Sequence, residues 1–594
     1  VYEPHWVNAS TNIAVDAFST LLVRFLSLNI VTKILLILLF VGPPAGAALL
    51  NRSVFKSWHP WQISFFMLTW TTTSIAGFMS FQIGLAAALT AAVIDNRFAG
   101  SALFRFLLRT LTGMLLLLIH PFSLAFFIIL AWGLDIGENL SPSATKERLA
   151  QIIKSTLLLG VAGAIPILIL FAASPNPPGA YASTGPAIQW LFSAKDAFKS
   201  LLSPLVTYHR DFDYVLTFPL WAVLIWSALF GKIRVHHGLI ITAAVLFILS
   251  IVAPSSIGDA HWLQRRFPLM AFLTLMAALR PELGWQRRRE LVLAVILLAA
   301  LSLRAGWITC VWMERQKDIN SLYEATQDVP AGSSVLPVMQ WPADCKETPV
   351  GRFVVGSPYT KYEPAFRHMP ALLVIERQIF IPTLFTVPGQ HALRVLEPWR
   401  EISSGVSPIP YSYHLSAQDE ITLHTDPYLR HWRSRFDYVL IFNADLVTHP
   451  AFSAIPEGLT LEKDAGYAKL YHDHVEGADK GADMDFLVGC RGHAVAHPRA
   501  RSTKAVEDLA GGLESGQHPE EGRHRECRRT AADHQSLRRG HRASVRQPRP
   551  FTADPPGAER QEPGGGGQSE RDADQSREQP KATDLLPMRR YRAI

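Results

Sequence analysis

The stretch FLLRTLTGMLLLLIHPFSLAFFIILAWGL, residues 106–134, decides how the chain is threaded. It is apolar throughout and too long for one untilted helix across a hydrocarbon core of ~30 Å, which takes roughly 20 residues. At its centre stands IHPF, residues 119–122. Proline removes a backbone donor and disfavours a helical conformation at the residue before it. The stretch therefore reads as two short spans meeting near His120. One span here instead of two would reverse the sidedness of every later loop.

Further spans are predicted over residues 32–50, 61–77, 79–94, 153–173, 213–230, 239–252, 267–279 and 291–308, about ten in all. Basic residues in short loops mark the cytoplasmic side. With residues 1–30 outside, the inside loops hold Arg52 and Lys56; Arg97, Arg105 and Arg109; Lys146, Arg148 and Lys154; Lys232 and Arg234; and Arg280 with Arg287, Arg288 and Arg289. Every inside loop is basic, whereas the long outside loop over residues 174–212 has only Lys195, Lys199 and Arg210. The formal net charge of +7 therefore belongs largely to membrane topology and does not argue for a nucleic-acid partner.

Arg265 and Arg266 break this pattern. In HWLQRRFPLM, residues 261–270, they fall at the outside end of a span. Either they snorkel to lipid headgroups, or their planar guanidinium groups bind an anionic ligand such as a lipid phosphate. Asp259 and His261 stand beside them. A second outside cluster is YHRDFDY, residues 208–214, with His209, Arg210, Asp211 and Asp213; it is either a solvated interfacial group or part of a donor or acceptor site. His120, at the helix break, either satisfies freed backbone groups or faces substrate.

Four regions follow: an outside loop with an amphipathic helix (1–31), a transmembrane helical domain (32–310), a small extracytoplasmic α/β domain (311–473) and a tail (474–594). The α/β reading rests on SLYEATQDVPAGSSVLPV as helix, turn and strand, ALLVIERQIFIPTLFT as β-rich, FDYVLIFNAD as a buried strand, and GLTLEKDAGYAKLYHDH as two strands. Neither a Walker loop nor GxGxxG nor GxSxG occurs there. The tail is rich in Arg, Gly, Pro, Gln and His with no apolar period. It reads as disordered, and as the text a shifted reading frame of GC-rich DNA produces. The four cysteines, Cys310, Cys345, Cys490 and Cys527, form no CxxC pair, and spacing alone leaves a Cys310–Cys345 disulfide open.

STNIAVDAF (10–18), GFMSFQIGLAAAL (77–89), IHPFSLAFF (119–127), GDAHWLQRRFP (258–268) and RFDYVLIFNAD (435–445) occur in that order. Together they resemble bacterial inner-membrane proteins of the GT-C glycosyltransferase type. That resemblance implies a polytopic enzyme of about eleven spans which moves a sugar from a polyprenyl phosphate carrier to an acceptor on the extracytoplasmic face. It places catalytic acidic residues in the first outside loop. The chain starts within that loop, at Val1, and Asp16 is the main acidic residue left there. Asp16 is thus the candidate catalytic base, or alternatively a solvated group on an interfacial helix. Some relatives use a divalent metal; the sequence offers no full ligand set, so a metal stays open. The expected partners are a polyprenyl-phosphate-linked sugar and membrane lipids. A lipid-intermediate transporter and a non-catalytic membrane scaffold are the competing classes.

Overall fold

A lipid interior satisfies no backbone donor or acceptor, so apolar runs fold into helices there. In a computed structural model of the chain, the described residues are 1–6, 11–98, 100–139, 146–173, 188–190, 194–230, 232–257, 260–282, 287–343, 348–355, 362–386, 391–404, 409–416, 427–448 and 455–473. All belong to one compact unit. The expected tail at 474–594 lies outside them.

The helices are α1 (Ile13–Leu22), α2 (Leu28–Phe55), α3 (Thr72–Ile75), α4 (Met79–Arg97), α5 (Ala102–Ile119), α6 (Pro121–Asn139), α7 (Lys146–Ala173), α8 (Ala194–Leu201), α9 (Arg210–Phe230), α10 (His237–Val252), α11 (Leu263–Ala278) and α12 (Arg287–Ala325). Seven of them, α2, α4, α5, α6, α7, α9 and α12, are long and apolar enough to cross a membrane. Many large apolar side chains on these helices face outward, such as Leu111 and Leu115 on α5 and Leu157 and Leu168 on α7. This is the arrangement of a helical membrane protein. Helices α10 and α11 are shorter, with 16 residues each.

The break between α5 and α6 falls at His120, as the proline requires. Its backbone is extended (φ −169°, ψ 136°). The His120 N–H donates to Leu116 O at 2.9 Å, while the His120 carbonyl accepts from Ser123 N at 2.9 Å. One residue thus ends one helix and begins the next.

The expected helix over residues 61–77 is a correction. Those residues form a 3-10 helix, Pro60–Leu68, followed by the single turn α3. Gln62 and His59 cap the 3-10 start reciprocally, and the hydroxyls of Thr71 and Ser74 hold the next turn against each other's backbone amides. Local side-chain to backbone bonds compete with a regular α-helix in this way. The segment nevertheless returns the chain between two parallel helices. Gly42 faces Ala86, Gly46 faces Leu89, and Asn96 donates to Ser53 Oγ at 2.9 Å. Helices α2 and α4 therefore run the same way in close contact through small residues.

The strands of the amino-terminal part are short: β1 (Tyr2–Pro4), β2 (Ile188–Gln189), β3 (Lys232–Val235), β4 (Ser256–Ile257), β5 (Ala260–His261) and β6 (Leu279–Glu282). The remaining strands are β7 (Val335–Met339), β8 (Phe353–Val355), β9 (Tyr362–Pro364), β10 (Leu393–Val395), β11 (Tyr438–Phe442), β12 (Leu459–Asp464) and β13 (Ala468–Asp473). One mixed sheet has the order β12-β13-β11-β7, with β11 parallel to β7 and antiparallel to β13. Alternate residues of β7 and β11 enter two cores. Val335, Leu440 and Phe442 pack with Leu322 and Ala325 of α12, and Leu336, Val439 and Ile441 pack with Phe380 and Trp432. Helix α12 runs unbroken through residues 310 and 311 to reach this sheet, so the boundary expected there lies inside one helix. ALLVIER, expected to be β-rich, is instead the helix α13 (Ala371–Arg377), with Leu373 in the first of these cores. Cys310 is a free, exposed thiol; Cys345 lies outside the described residues.

Helix α10 meets α6 backbone to backbone. A Cβ on Gly238 would come 1.8 Å from Gly133 O, whereas one on Gly160 of α7 meets nothing within 4 Å. Gly238→Ala should therefore destabilise the bundle by about 1–3 kcal/mol through forced backbone movement. Gly160→Ala should be neutral or stabilise by up to about 1 kcal/mol. Thermal unfolding of the two variants in detergent measures the contrast.

Candidate functional site

Arg265 and Arg266 sit in the first turn of α11, and both are buried, at 2% and 7% exposure. They do not snorkel, which corrects the first of the two readings. Trp262, in the left-handed region at φ 63°, starts the helix, and the Arg265 guanidinium stacks over its ring at 4.0 Å. Arg266 points into a cage of three phenylalanines, two from the start of α4 and one from the start of α6. Its guanidinium carbon lies 4.8 Å from the Phe78 ring centre, 5.4 Å from Phe81 and 5.0 Å from Phe122. These rings flank the start of α4 and the start of α6. Their negative faces attract a cation by about 0.5–2 kcal/mol each.

The remaining wall of the cage is His120, whose Nε2 lies 3.0 Å from Arg266 Nη1. Its Nδ1 lies 3.1 Å from the Phe122 backbone N–H, as an acceptor. A neutral imidazole carries one proton and offers one acceptor. If Nε2 accepts from Arg266, Nδ1 bears the proton and cannot accept from Phe122. If Nδ1 accepts, Nε2–H faces another donor. The ring therefore satisfies only one of its two neighbours at a time. Arg266 Nε has no partner, nor have the buried Ser123 Oγ and Gln264 Oε1 next to the cage in sequence. Among the described residues Arg266 pairs with no carboxylate. A buried cation without an anion, beside a histidine with a donor to spare, fits an anionic oxygen.

Asp16 stands on α1. Val15 beside it packs with Val31 and Leu35, and with Met79 and Ile119 at the ends of α4 and α5. Those ends adjoin Phe78 and His120, so α1 covers the same rim of the bundle as the cage. The Asp16 carboxylate lies 3.9 Å from His391 Nδ1, and Phe385 packs edge-on against that ring at 4.8 Å. Partial burial pushes Asp16 above the usual carboxylate range, opposed by the nearby His391. Burial lowers His391, opposed by Asp16. The strand β1 pairs with β10 just beyond His391, and the Tyr2 hydroxyl donates to Ile381 O at 2.8 Å. The amino-terminal segment is thus held against Ile381 and Leu393–Val395, which sequence reasoning did not connect to it.

Asp213 is not a free site group, a second correction. It is fully buried, accepts from Thr207 N at 2.6 Å and from the Thr207 hydroxyl at 2.8 Å, and faces Arg304 at 3.7 Å. Arg304, also wholly buried on α12, donates to Trp70 O and Leu205 O at 3.0 and 3.1 Å. His209 Nδ1 accepts from Phe212 N at 3.3 Å and caps α9. Asp213 and His209 therefore anchor the start of α9, while Arg210 and Asp211 are exposed and pair with each other at 3.0 Å. Asp259 lies outside the described residues. The backbone of His261 forms β5 against β4.

Sequence reasoning placed Arg105 and Arg109 in a loop; both lie in α5. Arg109 donates to Asp95 at 2.9 and 2.7 Å and to Asp135 at 2.8 and 2.7 Å, tying α4, α5 and α6 together. Arg304 was missed altogether, although a lone arginine in an apolar run is a signal for a buried partner. Among the described residues, no group of three or more His, Cys, Asp or Glu side chains is arranged to hold a metal ion.

No protein-family model matches the chain, and no solved structure matches it. A 31-residue stretch is 71% identical to an L-arabinonate dehydratase of Rhizobium leguminosarum bv. trifolii (strain WSM2304), covering 5% of this chain and 5% of the dehydratase. So short a likeness carries nothing about fold or activity.

Removing one member of a buried ion pair leaves the other uncompensated, at a cost of about 3–5 kcal/mol. Asp213→Ala should therefore destabilise strongly, while the double variant Asp213→Ala with Arg304→Met recovers part of the loss. Unfolding midpoints of the three proteins measure this coupling.

Proposed function

We propose that the chain is a multi-pass membrane transferase of the bacterial inner membrane that takes a sugar from a polyprenyl phosphate carrier, with the carrier's phosphate held at Arg266. The single observation carrying this reading is the buried Arg266 guanidinium, caged by three rings and lacking a carboxylate among the described residues. An aromatic cage holds a cation without neutralising it, so the charge stays available to an incoming anion. In the ten-crossing topology this rim faces the extracytoplasmic side, as does the mixed sheet. The parallel run of α2 and α4 supports that alternation, because the irregular segment between them makes the return crossing.

Chemically, the carrier presents a sugar bonded through its anomeric carbon to a phosphate oxygen. Asp16 accepts the proton of an acceptor hydroxyl as that oxygen attacks the anomeric carbon. The carbon–oxygen bond to phosphate breaks, and the polyprenyl phosphate leaves with the bond's electron pair. Arg266 stabilises the charge developing on the departing phosphate. His120 releases Arg266 and donates Nε2–H to a phosphate oxygen, which also leaves Nδ1 free to accept from Phe122. Both of its neighbours are then satisfied. The raised Asp16 carboxyl suits a base better than an ordinary aspartate would, because basicity rises with pKa.

Two results test this. Polyprenyl phosphate, free of sugar, should bind the reconstituted protein at least ~10-fold more weakly after Arg266→Gln, the direction expected for loss of a charge-assisted contact. Arg266→Lys should restore only part of the binding, since a lysine lacks the planar fork. Unchanged binding of the Gln variant would refute the phosphate site. Asp16→Asn should lower transfer by about 10²–10⁴-fold with donor binding retained. The sign of the pH effect follows from the raised carboxyl: activity is lost as pH falls through the Asp16 pKa, so the acid limb lies above the ~3.9 of a free aspartate.

A transporter of the same lipid is the second reading, favoured by the buried pairs Arg304–Asp213 and Arg109–Asp95–Asp135. Ionisable groups inside a bundle mark transport pathways in many carriers. In this chain each group is engaged by its neighbours. Movement of a labelled lipid phosphate between leaflets, without sugar transfer, would favour that reading.

A further inference from the structure

Away from the Arg266 cage, at the end of the bundle carrying Arg52, Lys56 and Arg280, an apolar groove opens between α2, the 3-10 segment and α12. Its walls are Ala45 and Ala48 on one side, Ile63 and Phe66 at the base, and Leu298 and Leu301 on the other. The volume is about 640 Å³, within the ~300–1,000 Å³ of small-molecule sites. The groove exists because the returning segment is a 3-10 helix with fewer side chains per unit length than an α-helix would set there, and because α2 presents alanines to it.

At the mouth the polarity changes. Trp58, 58% exposed, lies under the Arg52 guanidinium at 4.3 Å. Beside it Arg280 donates to Ser57 Oγ, and its buried Nε has no partner. Lys56 follows α2 in a left-handed turn at φ 58° and is exposed. The acidic groups facing the neighbouring His59 are Glu282 and Glu290, and Glu282 is engaged by Arg234 at 2.6 Å. Cations therefore outnumber free carboxylates at the mouth, above a mostly apolar slot that His59 and Gln62 also line.

We infer that this groove is a binding site for an anionic phospholipid, with its phosphate among Arg52, Lys56 and Arg280 and one acyl chain between α2 and α12. The tryptophan at the mouth suits the headgroup level, where amphipathic rings concentrate. Each cation near an anionic membrane surface already favours such lipids, and the slot adds a fixed seat for the chain. The lipid would fill the packing gap that the 3-10 crossing leaves. The site is separate from the Arg266 cage, and the inference does not rest on the transferase reading.

Trp58 supplies the probe. The full chain is reconstituted in phosphatidylcholine vesicles containing a small fraction of phosphatidylglycerol with brominated acyl chains. The fluorescence quenched is compared between the protein and its Trp58→Phe variant, which isolates the Trp58 contribution. Quenching of Trp58 by the anionic lipid should exceed that by brominated phosphatidylcholine at equal mole fraction by at least threefold. Arg52→Gln with Arg280→Gln should remove that excess, and Ala45→Phe, which fills the slot and keeps both arginines, should lower it as well. Helix content by circular dichroism confirms that each variant is folded. Equal quenching by both lipids would overturn the anionic site. So would an excess that survives both the arginine and the Ala45 variants, or an absence of quenching, which would mean that protein covers the groove.

Discussion

A buried guanidinium with rings instead of a carboxylate for company is the constraint around which one rim of the helix bundle is arranged. Taking such an ion out of water costs several kcal/mol even after relaxation. Three phenylalanine faces return about 0.5–2 kcal/mol each, and the His120 ring supplies one acceptor at most. Holding Arg266 there requires α11 to begin at Trp262, α5 to stop at His120, and Phe78 to stand at the head of α4. The ends of four helices converge there: α4 supplies Phe78 and Phe81, α5 ends at His120, α6 supplies Phe122 and α11 carries Arg266 itself.

Three other buried arginines follow the opposite rule. Arg109 is matched by Asp95 and Asp135, and Arg304 by Asp213 and two backbone carbonyls. Near the sheet, Arg352 donates to Asp318 and Asp445 at 2.7–3.1 Å and carries α12 into register with β11. These groups fasten helices to one another. Arg266 has no such carboxylate among the described residues, and this sets it apart from the clamps.

How much of this the sequence carried depends on the range of the forces involved. The break at His120 was legible because Pro121 acts on its immediate neighbour. Arg265 and Arg266 were legible as a violation of loop charge, but nothing local separates the one over Trp262 from the one in the cage, since the three rings arrive from distant segments. The stretch over residues 61–77 has the hydropathy of a span and misled for that reason; the hydroxyls of Thr71 and Ser74 and the capping by His59 decide its backbone. Asp213 looked like a site residue because acidic groups near a span are conspicuous, while its partner Arg304 lies far along the chain. The pairing of Asp16 with His391 was out of reach for the same reason, as it depends on the amino-terminal segment joining β10. FDYVLIF was legible as a strand because burial on both faces leaves a continuous apolar run.

The proposed role of Arg266 is to hold a lipid phosphate. The most direct measurement is solid-state NMR distance transfer between ¹⁵N-labelled arginine side chains and the phosphorus of polyprenyl phosphate, in the reconstituted protein. A guanidinium bonded to phosphate places nitrogen and phosphorus about 4 Å or less apart, given N⁺–H···O⁻ contacts of ~2.7–2.9 Å. Strong dephasing of an arginine signal, lost in Arg266→Lys, is the expected result. Dephasing that persists unchanged in that variant, or none in the unmodified protein saturated with the lipid, would contradict it.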